Sequence, residues 1–363
     1  MISNTNLWTY SVVLSVGLGV TLASVVYLKN SRWKKRFNRS ANSVPPTRWK
    51  HIGKVKDVYI YPLKSGHYIP IQRGYCDVRG LKYEVQDGCL EDRSFVLFNE
   101  KEKTFISSKK FNHLLLIQTE YVGGGAFQFS VYNQPSYEKL TIQVADILQT
   151  SHTKSFTLYV DEVLEAFDCG DLASDWFAKY LLNQSDRSIR LGLSTNRRRS
   201  IGDNYLRKYT TVYDNVNDED IGVYADMTSY MVLNENSLRD LNKKMSDIGV
   251  EDVSMLQFRG NIVVDGPPPY AEDTWDWVRF NSEVITRQVK PCTRCILTTV
   301  HPDTGHKQPD SQPLKMLQMY RAVPDLERRK VENFAPMFGV YMGVHRTGYV
   351  NVGDDVYVGC DDE

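Results

Sequence analysis

The chain has 363 residues, 42% hydrophobic and 24% charged, with 44 basic and 44 acidic side chains. That composition excludes wholesale disorder, and the length suits about two domains at ~150 residues each. Six of the cations (Lys29, Arg32, Lys34, Lys35, Arg36, Arg39) fall within residues 1–40, which hold no acidic residue; taking six from 44 leaves 38 basic against 44 acidic groups, a net charge of −6 for the rest. A mildly acidic body lacks the basic surface of a nucleic-acid binder. Six scattered cysteines do not make a secreted disulfide framework, so the composition points to a reducing compartment.

Residues 7–28 read LWTYSVVLSVGLGVTLASVVYL, with no charge. As a helix this run is about 33 Å long, which matches a hydrocarbon core of about 30 Å. Trp8, Tyr10 and Tyr27 stand near its ends, where aromatic side chains favour the interface. A cleaved signal peptide carries its basic residues before a shorter apolar run; here they come after. The reading is an anchor over residues 1–28, with everything after it on the cytosolic side. Residues 29–50 read as a basic linker containing Pro45-Pro46, with folded structure starting near His51.

From there VKDVYIYPLKS, RSFVLFN, LLLIQTEYV, AFQFSVYN and KSFTLYV are short, β-branched and aromatic, punctuated by glycine turns. They predict mostly antiparallel strands. A helix is expected after Asp171, with Leu172, Trp176, Phe177, Tyr180 and Leu181 on one face. Two folded regions are expected, 51–190 and 191–363, the elements of the second starting after the basic stretch at 196–199. In it, a helix is predicted from Asn236 with Leu238, Leu241, Met245 and Ile248 apolar. Strands are predicted at GNIVVDG, EVITRQV and RCILTTV, and a helix can start at Pro313. MFGVYMGVHRTGYVNVGDDVYV closes the chain as two or three strands with a turn at Gly353-Asp354. Many short strands and few helices predict a mixed α/β, β-rich, barrel-like fold.

Pro291-Cys292-Thr293-Arg294-Cys295 contains a lone CxxC. A zinc knuckle needs two further ligands, and Cys76, Cys89, Cys169 and Cys360 have no suitable spacing. A thioredoxin-like dithiol opens a helix, whereas the following ILTTV is strand-like. The third reading is a single thiolate, best placed at Cys295, as a soft metal ligand or a nucleophile, with the cations Lys290 and Arg294 nearby to attract an anion. Buried packing cysteines are the plain alternative.

The segment VKPCTRCILTTVHPDTG resembles the signature of the MOSC domain family, and most closely its membrane-anchored, amidoxime-reducing branch. VYIYPLKSG, EDRSFVLF, FRGNIVVDG, YAEDTWDW, APMFGVY and VGDDVYV match in the same order over most of residues 51–360. The resemblance implies a MOSC β-barrel domain packed with an N-terminal barrel-like subdomain, preceded by one transmembrane helix. It implies a molybdenum cofactor, a phosphate-bearing pterin dithiolene, held between the two. Its metal ligand is the second cysteine of the motif, Cys295, as a soft thiolate suits such a metal. Thr293, Arg294, Lys64, Ser65, Arg93, Arg259, Asn261 and Tyr341 fall at cofactor-contacting positions. Arg and Lys suit a phosphate, and Asn261 suits the pterin edge. The pair that resembles the family's Thr-Ser is shifted by one here, as Thr228 and Ser229, either of which can meet the phosphate. Arg197 to Arg199 read equally as a solvated loop or as a phosphate or partner contact. His301, where the family has Asp, is an exposed turn residue or a proton carrier.

The implied activity is reduction of N-hydroxylated compounds such as amidoximes and hydroxylamines. No strand–GxGxxG–helix unit supplies a nucleotide cofactor. The implied electron donors are a cytochrome b5 and its NADH-dependent reductase. The implied location is the mitochondrial outer membrane, catalytic domain in the cytosol. A non-redox MOSC sulfur carrier and a silent membrane-bound scaffold are the alternatives.

Overall fold

The computed structural model of the chain describes residues 44–197, 199–200 and 205–360. The predicted anchor at 7–28 and most of the basic linker lie outside the described residues. Among the described residues no helix is long and apolar enough to cross a membrane.

Regular structure begins at Trp49, two residues before the expected His51, with the long strand Trp49–Ile60. Val55, Val58 and Ile60 are buried in it. One edge pairs antiparallel with Ile262–Asp265 and the other with Asp355–Gly359. Between those two, Tyr230–Asn234, Met337–Arg346, Val284–Thr293 and Trp277–Phe280 complete a closed ring of strands, with Ile69–Ile71 added outside. Closure leaves no row of unpaired backbone groups. The first strand of the N-terminal half is thus part of the sheet built by the C-terminal half. In return, Gly348–Asn351 joins the four-stranded sheet of Arg73–Asp77, Gly80–Val85 and Gly88–Glu91.

A second closed barrel joins Thr153–Thr157, Val163–Asp168, Ile189–Ser194, Phe95–Asn99 and Thr104–Phe105. The helix Gly170–Leu182 buries Trp176, Phe177 and Leu181. Leu172 is instead 81% exposed. At about 100° per residue it stands half a turn from Leu181, so it cannot share that face.

The helix Glu235–Ser246 starts at Asn234, whose side chain accepts from the Asn236 N–H at 3.0 Å. Leu238, Leu241 and Met245 are buried; the helix stops before Ile248, which is exposed. The segment expected as the strand RCILTTV is a 3-10 turn, Ile296–Thr299. Thr298 and Thr299 donate their hydroxyls to the carbonyls of Cys295 and Ile296, at 2.9 and 2.7 Å. These local bonds compete with a sheet ladder and outweigh the β-branched composition.

Candidate active site

Loops and strands from both halves of the chain meet at an open cleft. Lys64 and Ser65 enter from the turn after the first strand, Arg93 from the turn before Phe95–Asn99, and Arg259 and Asn261 from the approach to Ile262–Asp265. Thr228, Thr293, Arg294, Cys295 and Tyr341 also stand on its walls, so that of the predicted set Ser229 alone is missing. Ser65, Arg93 and Arg259 have φ of 68°, 51° and 55°. Left-handed backbone in a non-glycine residue is costly, and three cases around one cleft mark a site held by its surroundings. For Arg259 the cause is local. A capping box from Ser254 and Gln257 closes the 3-10 turn Met255–Phe258, and Arg259 reverses the chain after it.

The cleft is strongly cationic, and its cations differ in how they are compensated. Lys64 donates to Asp226 at 2.5 Å and to the Tyr159 hydroxyl at 3.3 Å. Burial pulls the Lys64 pKa below the usual lysine range, and Asp226 opposes that pull. Asp226 faces the cleft with its side chain 66% exposed. Lys64 beside it, the Tyr159 hydroxyl and Arg93 hold its carboxyl well below the usual carboxylate range. Arg93 pairs with buried Asp92 and donates to the Arg259 carbonyl at 3.2 Å. Arg259 has no carboxylate partner among the described residues. Its Nη1 donates to the Gly66 carbonyl at 2.8 Å, while its buried Nη2 has no hydrogen-bond partner. Burial, with Arg93 adding to it, lowers its pKa to about 10. A buried donor without a partner is rare and calls for a ligand or water.

The two motif cysteines part company. Cys292 lies inside the strand Val284–Thr293, 2% exposed, and burial raises its pKa. Cys295 is exposed and extended (φ −120°, ψ −179°), just past the strand end. The two differ in access, Cys292 being closed off within a strand and Cys295 open to solvent, and a 3-10 turn rather than an α-helix follows Cys295, which disfavours the thioredoxin-like dithiol. Among the described residues no group of three or more His, Cys, Asp or Glu could hold a metal, so the zinc reading finds no ligand set.

Several predicted contacts act on the protein itself. Arg294 is a bracket: Nε donates to the Phe338 carbonyl at 2.7 Å, Nη1 to the Phe258 carbonyl at 2.8 Å, and Nη2 approaches Met231 Sδ at 3.0 Å. Thr293 donates to Glu332 at 2.8 Å, and Glu332 forms a buried pair with Lys290 at 2.7 Å. Asn261 donates to the Tyr59 carbonyl and accepts from the Met231 N–H, both at 3.3 Å. Thr228 donates to the Tyr230 carbonyl at 2.8 Å and lines the cleft. Ser229 is not among the lining residues; it donates to the Val78 carbonyl at 2.9 Å. Arg199 is neither a solvated nor a phosphate-contacting residue. It is buried against Glu162, at 2.7 and 2.9 Å, and donates to the carbonyls of Gly222 and Ala225. Arg197 pairs with Glu165 at the surface. His301 Nδ1 accepts from the Asp303 N–H, away from the cleft lining.

Sequence reasoning missed Asp226 and Gln257 as lining residues. The Ser-x-x-Gln spacing of the capping box was the available signal for Gln257. Nothing local announces that Asp226 pairs with a lysine 162 positions earlier.

Comparison with known proteins adds the family context. Residues 52–184 match the family described as MOSC N-terminal beta barrel domain, and residues 221–357 match the MOSC domain. The chain is 30% identical over 345 residues to mitochondrial amidoxime-reducing component 1 of Xenopus laevis, covering 94% of this chain and 90% of that protein. It is 29% identical over 344 residues to the human mitochondrial amidoxime reducing component 2, covering 94% and 92%.

Proposed function

The chain belongs to the MOSC domain family, with a MOSC domain preceded by the MOSC N-terminal barrel domain, and on that premise we propose that it is a molybdenum cofactor-dependent reductase of N-hydroxylated compounds. The observation that carries this reading is the juxtaposition of an exposed Cys295 with the unpartnered Nη2 of Arg259 in one cleft. A pterin dithiolene bearing a phosphate asks for a soft metal ligand at one end and cations at the other. The donor set fits both demands.

In this reading Cys295 is the protein's ligand to the metal. Arg259 and Arg93 hold the phosphate, and Lys64 joins them when Asp226 yields it. Arg294, already bonded to two carbonyls, fixes the wall on which Cys295 stands rather than contributing free charge. Glu332 holds the Thr293 hydroxyl, which keeps that side chain in one orientation beside the cleft. When bound, a molybdenum cofactor supplies two-electron chemistry that amino-acid side chains lack. Reduction of an amidoxime or hydroxylamine takes up two electrons and two protons and releases water.

The electrons come from a partner in this proposal, a cytochrome b5 with its NADH-dependent reductase. The curated relatives are named as mitochondrial amidoxime-reducing components. By extension we place this chain at the mitochondrial outer membrane, held by residues 7–28, with residues 29–363 in the cytosol. The test is conversion of an aromatic amidoxime to its amidine by the full-length protein with NADH, cytochrome b5 and the reductase. Turnover that requires all three components supports the proposal. No turnover by protein carrying molybdenum and pterin overturns it.

A further inference from the structure

Two guanidinium groups lie over a single buried ring. The Cζ of Arg259 is 4.4 Å and that of Arg93 4.7 Å from the ring centroid of Tyr61. Tyr61 is 1% exposed and is not a lining residue of the cleft. Its own position is fixed three ways. Its hydroxyl donates to the Gly260 carbonyl at 3.2 Å, its N–H donates to Asp92 at 2.9 Å, and its carbonyl accepts from the Arg93 N–H at 2.7 Å. The ring therefore moves with the turns that carry both arginines.

Like charges this close repel, and Arg93 is among the groups that depress the Arg259 pKa. A carboxylate between them would hold them but would also neutralise them. Asp92 does this for Arg93 and Asp226 does it for Lys64. An aromatic face attracts a cation through its quadrupole and carries no net charge. It can hold Arg259 in place while leaving its full charge, and its unpartnered Nη2, for an incoming anion.

We propose that Tyr61 is a positioning residue, whose ring holds Arg93 and Arg259 as a two-armed clamp for a phosphate monoester. This rests on reading the cleft as the site of a phosphate-bearing cofactor. The role assigned to the ring is electrostatic, so it depends on the π-face and not on the hydroxyl or on shape alone.

The test replaces position 61 with phenylalanine and then with mono-, di- and trifluorinated phenylalanine in the full-length chain, produced in a host that cannot make the pterin. Fluorination weakens the ring quadrupole in steps while conserving shape. Inorganic phosphate is titrated by calorimetry, and the thermal midpoint is recorded for each protein. Tyr61→Phe, which loses the hydroxyl's bond to the Gly260 carbonyl but keeps the π-face, is the reference for the series. Affinity is then expected to fall stepwise, by about tenfold at trifluorination, on the scale of a desolvated cation–π contact, with an unchanged thermal midpoint. A flat series overturns the proposal, as does a loss of affinity that merely tracks the midpoint, or a wild type that does not bind phosphate. Pterin content of the wild type made in a competent host is measured alongside. Phosphate binding without pterin uptake would sink the cofactor reading and leave the clamp standing.

Discussion

The cleft and the layer behind the helix Glu235–Ser246 handle buried charge in opposite ways. In that layer Glu272 is fully buried and has no cationic partner among the described residues. Every need of its carboxylate is nevertheless met: Ser237 donates at 2.7 Å and Asn234 at 2.9 Å. Burial and the neighbouring Asp273 push its pKa up to about 7. In the cleft Arg259 is half-buried and equally without a counter-charge among the described residues, but its buried Nη2 has no acceptor. Both are uncompensated charges, and the difference lies in hydrogen bonding. The satisfied one ties a helix to the turn Ala271–Thr274; the unsatisfied one points to something that binds.

The contrast is broken most severely through Arg294, the cleft cation that behaves like the layer behind it. Arg294→Ala strips donors from the buried carbonyls of Phe338 and Phe258. At about 1–3 kcal/mol for each unsatisfied group, a loss of ~3–5 kcal/mol is expected in urea unfolding. Near-neutral stability would show that this arginine is a ligand contact after all.

Glu272 sharpens the other side. Its folded-state pKa is raised from 4.5 to about 7, so the folded state binds more protons than the unfolded state between those values. Stability from this group is therefore lost as pH rises from about 4.5 to 7. Glu272→Gln should remove the dependence, stabilising the protein by up to about 3 kcal/mol at pH 8 and hardly at all at pH 5. The check is the difference in unfolding free energy between the two proteins across that range, and a constant difference would place the titration elsewhere.

Arg259→Ala should do the reverse of Arg294→Ala. Folding should lose no more than about 1–3 kcal/mol, from the single Gly66 carbonyl left without its donor. Cofactor retention should weaken ten- to hundredfold, the value of a charge-assisted hydrogen bond of ~1.5–3 kcal/mol. Pterin content after gel filtration reads this, and full retention would remove Arg259 from the binding site.

The smallest effect is expected from Asp226→Asn, which frees Lys64. Phosphate affinity of cofactor-free protein should rise a few-fold at pH 6. Burial already lowers the Lys64 pKa, and loss of the carboxylate lowers it further. The gain should therefore fade as pH rises and the ammonium deprotonates. A weaker-binding variant at every pH would make Asp226 part of the binding geometry and not its competitor.

Much of the cleft was legible because its residues sit in short, distinctive segments. Lys64, Arg93, Arg259 and Cys295 could each be named from a few flanking residues. What escaped depended on partners distant in sequence. Arg199 reads equally as a solvated loop residue or as a phosphate or partner contact, and neither reading anticipates Glu162, 37 positions earlier, which takes its guanidinium. Thr228 and Ser229 could not be ranked, because the pair stands one position off the family's spacing and only the fold shows which hydroxyl lines the cleft. The same long-range pairing hid the exchange of strands between the halves: nothing near Trp49 reveals that its neighbours are Gly359 on one side and, further along, Asp265 on the other. Tyr61 read as one more β-sheet aromatic, and only the approach of two guanidiniums distinguishes it.

The division of labour between the two motif cysteines is tested most directly by metal content. Wild-type, Cys292→Ser and Cys295→Ser full-length proteins are purified from a host that makes the pterin, and molybdenum per chain is measured. The exposed Cys295 should be essential and the buried Cys292 dispensable. Stoichiometric molybdenum in the wild type and Cys292→Ser, with loss of the metal or of its sulfur ligation in X-ray absorption for Cys295→Ser, is the expected result. Equal effects of both substitutions, or a wild type that carries labile sulfur and no molybdenum, would contradict it.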